Sequence, residues 1–326
     1  MSFARQFASK IFSGRTVLRR YSSHAADKYL VTPKEANELV QSQGAVILDS
    51  TWFMPNSPHN ATKEFQSKRI PQARFFDLDA VASPHELGLM HMIPPPRVFA
   101  DACEKFGISP ATPVIIYDAH GVFSSPRGLF TFRTFNHDKS VILDGGLPRW
   151  EAEGLPVETS EPVTPTAVDY PTPEFNAKAI RSYEQILANF TGKDTPTELV
   201  LDARPKGRWL GADPEPRPGM RAGHMPGSVS LQFSLFLQNN NVNGKEFTTY
   251  LPPDKIREAL IGAVGEERAQ AIIDGKLPVI TSCGSGMTAA IVWLGLRQLG
   301  VKDVSLYDES WMGYAVRESS PIVTGE

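Results

Sequence analysis

The sequence predicts a tandem α/β protein, two copies of one plan, each a mostly parallel sheet with helices on both faces. Three features predict it. Short β-rich runs alternate with helical-looking segments, the pattern of crossover-connected parallel strands. The same local signals recur in the same order in both halves. Between the halves, ETSEPVTPTAVDYPTPE (158–174) carries four prolines and no apolar periodicity, the composition of an interdomain linker.

The recurrence is specific. Ile47-Leu48-Asp49 is matched by Val200-Leu201-Asp202, and Arg69-Ile70-Pro71-Gln72-Ala73 by His224-Met225-Pro226-Gly227-Ser228. Pro113-Val114-Ile115 corresponds to Pro278-Val279-Ile280, and Leu143-Asp144-Gly145-Gly146 to Tyr307-Asp308-Glu309-Ser310. The offsets are 153, 155, 165 and 164, so insertions fall between landmarks that keep their order. Helices are expected at Pro33 to Gln41 behind Thr32 as N-cap, Arg97 to Phe106, Ser182 to Asn189, Asp254 to Gly262, and Thr288 to Leu299 closed by Gly300. The expected division is a leader at 1–26, an N-terminal domain at 27–157, a linker at 158–178 and a C-terminal domain at 179–326.

Composition narrows the function. At 326 residues, 41% hydrophobic and 21% charged, the chain is long enough for two domains with separate cores. No apolar run approaches the ~18 residues of a membrane span. Residues 1–26 hold Arg5, Lys10, Arg15, Arg19 and Arg20 and no acid, with apolar residues at roughly helical intervals, as in a mitochondrial presequence. Removing those five cations from an overall charge of −3 leaves −8 on the remainder, which argues against nucleic acid as the main ligand. Cys103 and Cys283 lie far apart and form no disulfide framework, as suits a reducing compartment.

The chemistry concentrates in VITSCGSGMTAA (279–290). A strand ending at Ser282 feeds Cys283-Gly284-Ser285-Gly286-Met287-Thr288 and then a helix, and ligands of parallel α/β sheets bind at such strand ends. Gly284 and Gly286 let successive N–H groups turn inward, and the helix adds its positive end, so the loop is an anion nest. A cysteine there is held toward thiolate, the nucleophilic form. A phosphate-binding P-loop would need Gly-Lys-Ser/Thr, and a cysteine phosphatase an arginine at the position of Ala289.

At this point the sequence resembles the two-domain rhodanese family of sulfurtransferases over nearly the whole mature chain. The supporting motifs are Leu201-Asp202-Ala203-Arg204, Gly223-His224-Met225-Pro226-Gly227 and Tyr307-Asp308-Glu309-Ser310-Trp311. Cys-Gly-Ser-Gly-x-Thr is similar to the branch that takes sulfur from 3-mercaptopyruvate; thiosulfate-preferring members carry two basic residues where Gly284 and Ser285 stand. The resemblance implies a persulfide on Cys283, no cofactor, and substrate contacts from Gly284, Gly286, Met287 and Thr288. Ungapped alignment puts Asp118 of PVIIYD in the place of Cys283, so the first domain lacks the nucleophile and walls the cleft.

Arg208 and Arg217, in GRWLGADPEPR (207–217), read on their own as either solvated surface charges or a forked grip on a carboxylate. The resemblance assigns them to the substrate, at the spacing of the branch's two substrate-binding arginines. It likewise implies that an Asp and a His reach across the cleft toward Ser285; these map to Asp79 and His91, with His85 as competitor. Zinc is excluded for this segment, since His85 and His91 are not at i, i+4 and Pro84 intrudes. His224 is expected to hold its turn, and Trp311 to line the pocket or pack in the core. Glu309 stands where the family has Gly, and Met287 where it has a small β-branched residue.

The implied reaction takes sulfur from 3-mercaptopyruvate and hands it to thioredoxin, a small thiol or cyanide. The alternatives are a thiosulfate sulfurtransferase, or a carrier between a cysteine desulfurase and a tRNA-thiolation partner. The implied location is the mitochondrial matrix, with room for a cytoplasmic pool.

Overall fold

The computed structural model describes residues 28–191 and 197–326. The presequence reading, at 1–26, lies outside the described residues. The first half runs β1 (Leu30–Val31), α1 (Pro33–Gln43), β2 (Val46–Asp49), α2 (Ala61–Ser67), β3 (Arg74–Phe75), α3 (Pro96–Lys105), β4 (Val114–Tyr117), α4 (Ser125–Thr134), β5 (Ser140–Leu143) and α5 (Gly146–Ala152). The second runs β6 (Ile180–Arg181), α6 (Tyr183–Thr191), β7 (Leu199–Asp202), α7 (Lys206–Leu210), β8 (Val229–Ser230), β9 (Leu237–Val242), β10 (Lys245–Tyr250), α8 (Pro253–Val264), α9 (Glu266–Ile273), β11 (Val279–Ser282), α10 (Ala289–Gln298), β12 (Val304–Tyr307) and α11 (Ser310–Val316).

The duplication is visible in topology. One five-stranded sheet has the order β1-β5-β4-β2-β3 and the other β6-β12-β11-β7-β8, and every pairing within them is parallel. Strand for strand the two orders are the same. Each expected helix forms within a few residues of its expected bounds. α1 shows why: Thr32 Oγ1 accepts from Glu35 N, the Glu35 carboxylate accepts from Thr32 N, and Pro33 supplies the first turn.

One expectation needs correction. The domains do not have separate cores. Residues of α3 and α4 and of α8, α9 and α10 join one buried apolar cluster, with Phe130 edge-on to Trp293 at 5.1 Å between the sheets. Smaller clusters cover only the outer faces, under α1, α2 and α5 in one half and α6 and α11 in the other. The proline-rich segment between the halves packs on the first of them: Arg69 and Glu158 exchange backbone hydrogen bonds, and Tyr170 is buried edge-on to Phe99.

The hairpin β9–β10 is not among the expected elements, and its first strand, Leu-Gln-Asn-Asn-Asn-Val, has little β character. Its turn, Asn243-Gly244, takes φ of 53° and 79°, and Asn-Gly is the strongest short hairpin signal. The hairpin lies in the interval where the repeat offset jumps from 155 to 165.

The hairpin reaches back onto the first half, where Thr248 Oγ1 accepts from Val122 N at 3.0 Å and Tyr250 N donates to Asp144 at 2.9 Å. The first half reciprocates through the loop after β3, whose Ile93 N donates to Asp308 at 2.8 Å. Asp144 and Asp308 are repeat counterparts, so each domain closes over the other by an equivalent carboxylate.

Candidate active site

The strand–loop–helix expected around Cys283 forms, with the loop between β11 and α10 at the carboxyl end of the sheet. Four buried residues of β11 fix where the strand stops. From there the loop is pinned from both sides. Cys283 N donates to Ser310 Oγ, Trp311 N to Cys283 O and Met312 N to Gly284 O, so the start of α11 holds the loop's backbone. Ser310 itself takes φ of 50° to do this.

Within the loop, Gly286 N donates to Cys283 Sγ at 3.1 Å. Gly286 has φ of 81°, and a Cβ there would stand 2.9 Å from Asp308 O and 3.0 Å from Arg127 Nη1. Only glycine fits this turn without displacing its neighbours. Cys283 is 1% exposed, a buried thiol rather than a surface one.

Cations surround it. Arg208 sits on the short helix α7, with Arg208 Nη2 over Gly284, 3.4 Å from where a Cβ on that glycine would be. Burial first, then the charge of Arg208, pushes the Arg217 guanidinium below its ordinary range, and Cys283 and Glu215 oppose the shift. Arg217 Nη2 is buried with no hydrogen-bond partner among the described residues. A guanidinium nitrogen in that condition is a donor set for an incoming anion.

Glu215 was missed in the sequence. Its carboxylate, 2% exposed, takes Arg208 through Nε and Nη2 and Arg204 through Nη1. Arg204 is in turn paired with Asp202 at 2.6 Å and lies 4.1 Å from the centroid of the Trp311 ring. The acid–cation alternation Asp202, Arg204, Glu215, Arg208 fixes the Arg208 fork. The Pro-Glu-Pro-Arg spacing, with the acid two residues before Arg217, was the available signal.

The first domain contributes Asp79 and His91. His91 Nδ1 lies 3.0 Å from Asp79 Oδ1, and the second carboxylate oxygen accepts from Trp52 Nε1 at 2.8 Å. Burial raises the Asp79 carboxyl, but the hydrogen bonds from His91 and Trp52 and the charge of His91 outweigh it and hold the carboxyl below its usual range. His91 Nε2 meets Ser285 at the backbone carbonyl, at 2.8 Å. The expected approach to Ser285 therefore occurs, but not at the hydroxyl. Arg127, 1% exposed on α4, donates through Nη2 to His91 O and to Asp308, both at 2.5 Å. It too was missed, and no local motif marks it.

His85 does not reach the loop; it lies 3.8 Å from Glu309, which pairs with Arg317. Trp311 is fully buried, its Nε1 donating to Arg221 O, so it is core and not pocket wall. Met287 likewise packs into the central apolar cluster, leaving only its backbone for a substrate contact. Thr288 caps α10 without a side-chain bond. His224 stacks on Trp209 at 3.8 Å and bonds Trp209 O, the turn-holding part expected of it.

This is a duplicated parallel α/β enzyme in which one of two equivalent loops carries a cysteine at its head. The rhodanese-like domain profile matches residues 32–153 and again 183–316, and the chain belongs to the rhodanese family, as a sulfurtransferase with two tandem domains. A Schizosaccharomyces pombe protein named probable 3-mercaptopyruvate sulfurtransferase is 37% identical over 287 residues, 87% of this chain and 92% of its own. A mitochondrial thiosulfate/3-mercaptopyruvate sulfurtransferase of Arabidopsis thaliana is 35% identical, over 86% of this chain and 74% of its own. The sub-stoichiometric sulfur transferase subunit of yeast mitochondrial complex I superposes with a TM-score of 0.77 at 31% identity, covering 92% of this chain and 100% of that one.

Proposed function

We propose that the protein takes sulfur from 3-mercaptopyruvate, carries it as a Cys283 persulfide and delivers it to a thiol such as thioredoxin or a small thiol. One observation supports this reading above others: two guanidinia flank the cysteine loop, and one of them, Arg217, holds a buried nitrogen with no partner among the described residues. A monoanionic keto acid offers a carboxylate and an adjacent carbonyl to such a pair. The loop itself supplies backbone donors and a hydroxyl but no cation at Gly284 or Ser285. A dianion at the sulfur end finds less there.

The Cys283 thiolate attacks the donor sulfur, and the sulfur–carbon bond breaks with its electron pair passing to carbon as the enolate of pyruvate. Protonation at that carbon, by a solvent proton passed through the Ser285 hydroxyl, releases pyruvate. Gly286 N–H, already aimed at Sγ, stays on the persulfide. An acceptor thiolate then attacks the outer sulfur, the S–S bond breaks, and Cys283 returns as thiolate. The basic leader and the mitochondrial relatives support action in the mitochondrial matrix.

Comparing kcat/KM for 3-mercaptopyruvate and thiosulfate tests the donor assignment. A preference for mercaptopyruvate is expected; a preference for thiosulfate overturns it. Loading of Cys283 by a cysteine desulfurase without mercaptopyruvate would make the protein a relay carrier instead.

A further inference from the structure

We propose that His91 acts on Cys283 through the peptide bond between Ser285 and Gly286, as a doubly protonated imidazole that polarises this peptide toward the sulfur. The inference rests on Cys283 being the sulfur carrier, and three contacts in series carry it. Asp79 Oδ1 is 3.0 Å from His91 Nδ1, His91 Nε2 is 2.8 Å from Ser285 O, and Gly286 N is 3.1 Å from Cys283 Sγ. Ser285 O and Gly286 N belong to one peptide group. Its oxygen is held by the imidazole and its hydrogen points at the sulfur.

Both partners of the ring are acceptors only. An ionised carboxylate and a backbone carbonyl have no hydrogen to give, so each ring nitrogen must carry its own. The ring is then a cation, 2% exposed, with Asp79 as its counter-ion. A positive donor on a peptide oxygen strengthens the N–H at the other end, since hydrogen bonds in series polarise one another. Negative charge on Cys283, as thiolate or persulfide, is what that N–H meets.

The surrounding groups serve this placement. His91 takes φ of 46°, uncommon outside glycine, and its backbone is clamped by Arg127 Nη2 on its carbonyl and by Asp308 on Ile93 N two residues on. The charged groups facing it are thus Asp79 at the ring and Arg127 at the carbonyl, with Asp308 offsetting Arg127. Trp52 stands edge-on to the ring at 5.2 Å and holds the far oxygen of Asp79. His91 is on this account a positioning residue. It differs from a base acting on the Ser285 hydroxyl in one respect that can be measured: deleting the hydroxyl leaves the peptide intact.

The test is the pH–rate profile of iodoacetamide alkylation of Cys283, followed by mass on the full chain. His91→Gln keeps a neutral donor but removes the charge, and should move the midpoint up by about one pH unit, slowing alkylation about tenfold below the wild-type midpoint. Ser285→Ala keeps the carbonyl and should keep the wild-type midpoint, whatever it does to turnover. A wild-type midpoint in His91→Gln overturns the proposal, as does a Ser285→Ala shift equal to that of His91→Gln. Asp79→Asn, expected to move the midpoint in the same direction, replaces His91→Gln if the latter does not fold. Sulfur uptake from mercaptopyruvate is scored separately, so failure of the donor assignment and failure of the peptide relay are distinguishable.

Discussion

The loop at Asp118 and the loop at Cys283 are the same turn with opposite uses. Both leave a central parallel strand, both have a left-handed glycine three residues on (Gly121 at φ 111°, Gly286 at φ 81°), and both are pinned by a backbone donor from the segment after the next strand, Leu147 N on Asp118 O and Trp311 N on Cys283 O. In the first, the Asp118 carboxylate accepts from His120, Phe123, Ser124 and Ser125 N at 2.8–3.0 Å, so the nest is filled by the protein's own anion. In the second, a thiol takes that place and, among the described residues, accepts from Gly286 alone. The duplicated loop is thus a set of inward N–H donors in both copies, and the residue at its head decides whether a carboxylate or a thiol meets them.

The largest expected effect is at the head residue. Cys283→Ser should reduce sulfur transfer to background, a loss of at least about a thousandfold, while Cys103→Ser leaves it intact. Burial raises the Cys103 thiol well out of the nucleophilic range. Asp118→Cys combined with Cys283→Ser should not restore transfer, because residues 50–60 after β2 contain no arginine to match Arg208. Recovery of activity in that double variant would show that the nest alone makes the site.

Next come the arginines. Arg217→Ala and Arg208→Ala should each raise KM for mercaptopyruvate by about 10–100-fold, the value of a charge-assisted hydrogen bond, with a smaller change in kcat. An unchanged KM removes that arginine from the substrate. Asp118→Ala tests the other side: with several buried N–H groups left without an acceptor, chemical denaturation should register a loss of about 3 kcal/mol.

The smallest effect is a pH slope. Burial, opposed by the hydrogen bond from Tyr250 N and the charge of Arg149, raises the Asp144 carboxyl to about 6. The folded state then holds a proton that the unfolded state has released, so stability falls as pH rises from about 4 to about 6, by at most about 3 kcal/mol. Asp144→Asn keeps the acceptor for Tyr250 N and should flatten that stretch of the stability–pH curve. The same slope in the variant would assign it to another group. Asp79 runs the other way, its depressed carboxyl contributing stability that is lost as pH falls through its folded value.

Much of this was legible in sequence because landmarks of the repeat are local. Strand ends such as Leu48-Asp49 and Leu201-Asp202, the Thr32 cap and the Cys-Gly-Ser-Gly loop each carry their own physical signature. What was not legible depends on distant contact. Arg127 meets Asp308 only because the two halves pack together through α4 and α10, and Trp311 is core because Arg204 and Arg221 cover it. The contact of His91 with a carbonyl instead of a hydroxyl lies below what spacing can express. The hairpin is the exception, since its Asn243-Gly244 turn is a local signal.

The most direct measurement of the central claim is intact mass after brief incubation with 3-mercaptopyruvate and removal of the excess. A single added sulfur on the wild type, mapped to Cys283, absent from Cys283→Ser and discharged by a thiol acceptor, is the predicted result. A wild-type mass that does not change, or sulfur carried on Cys103, would contradict it.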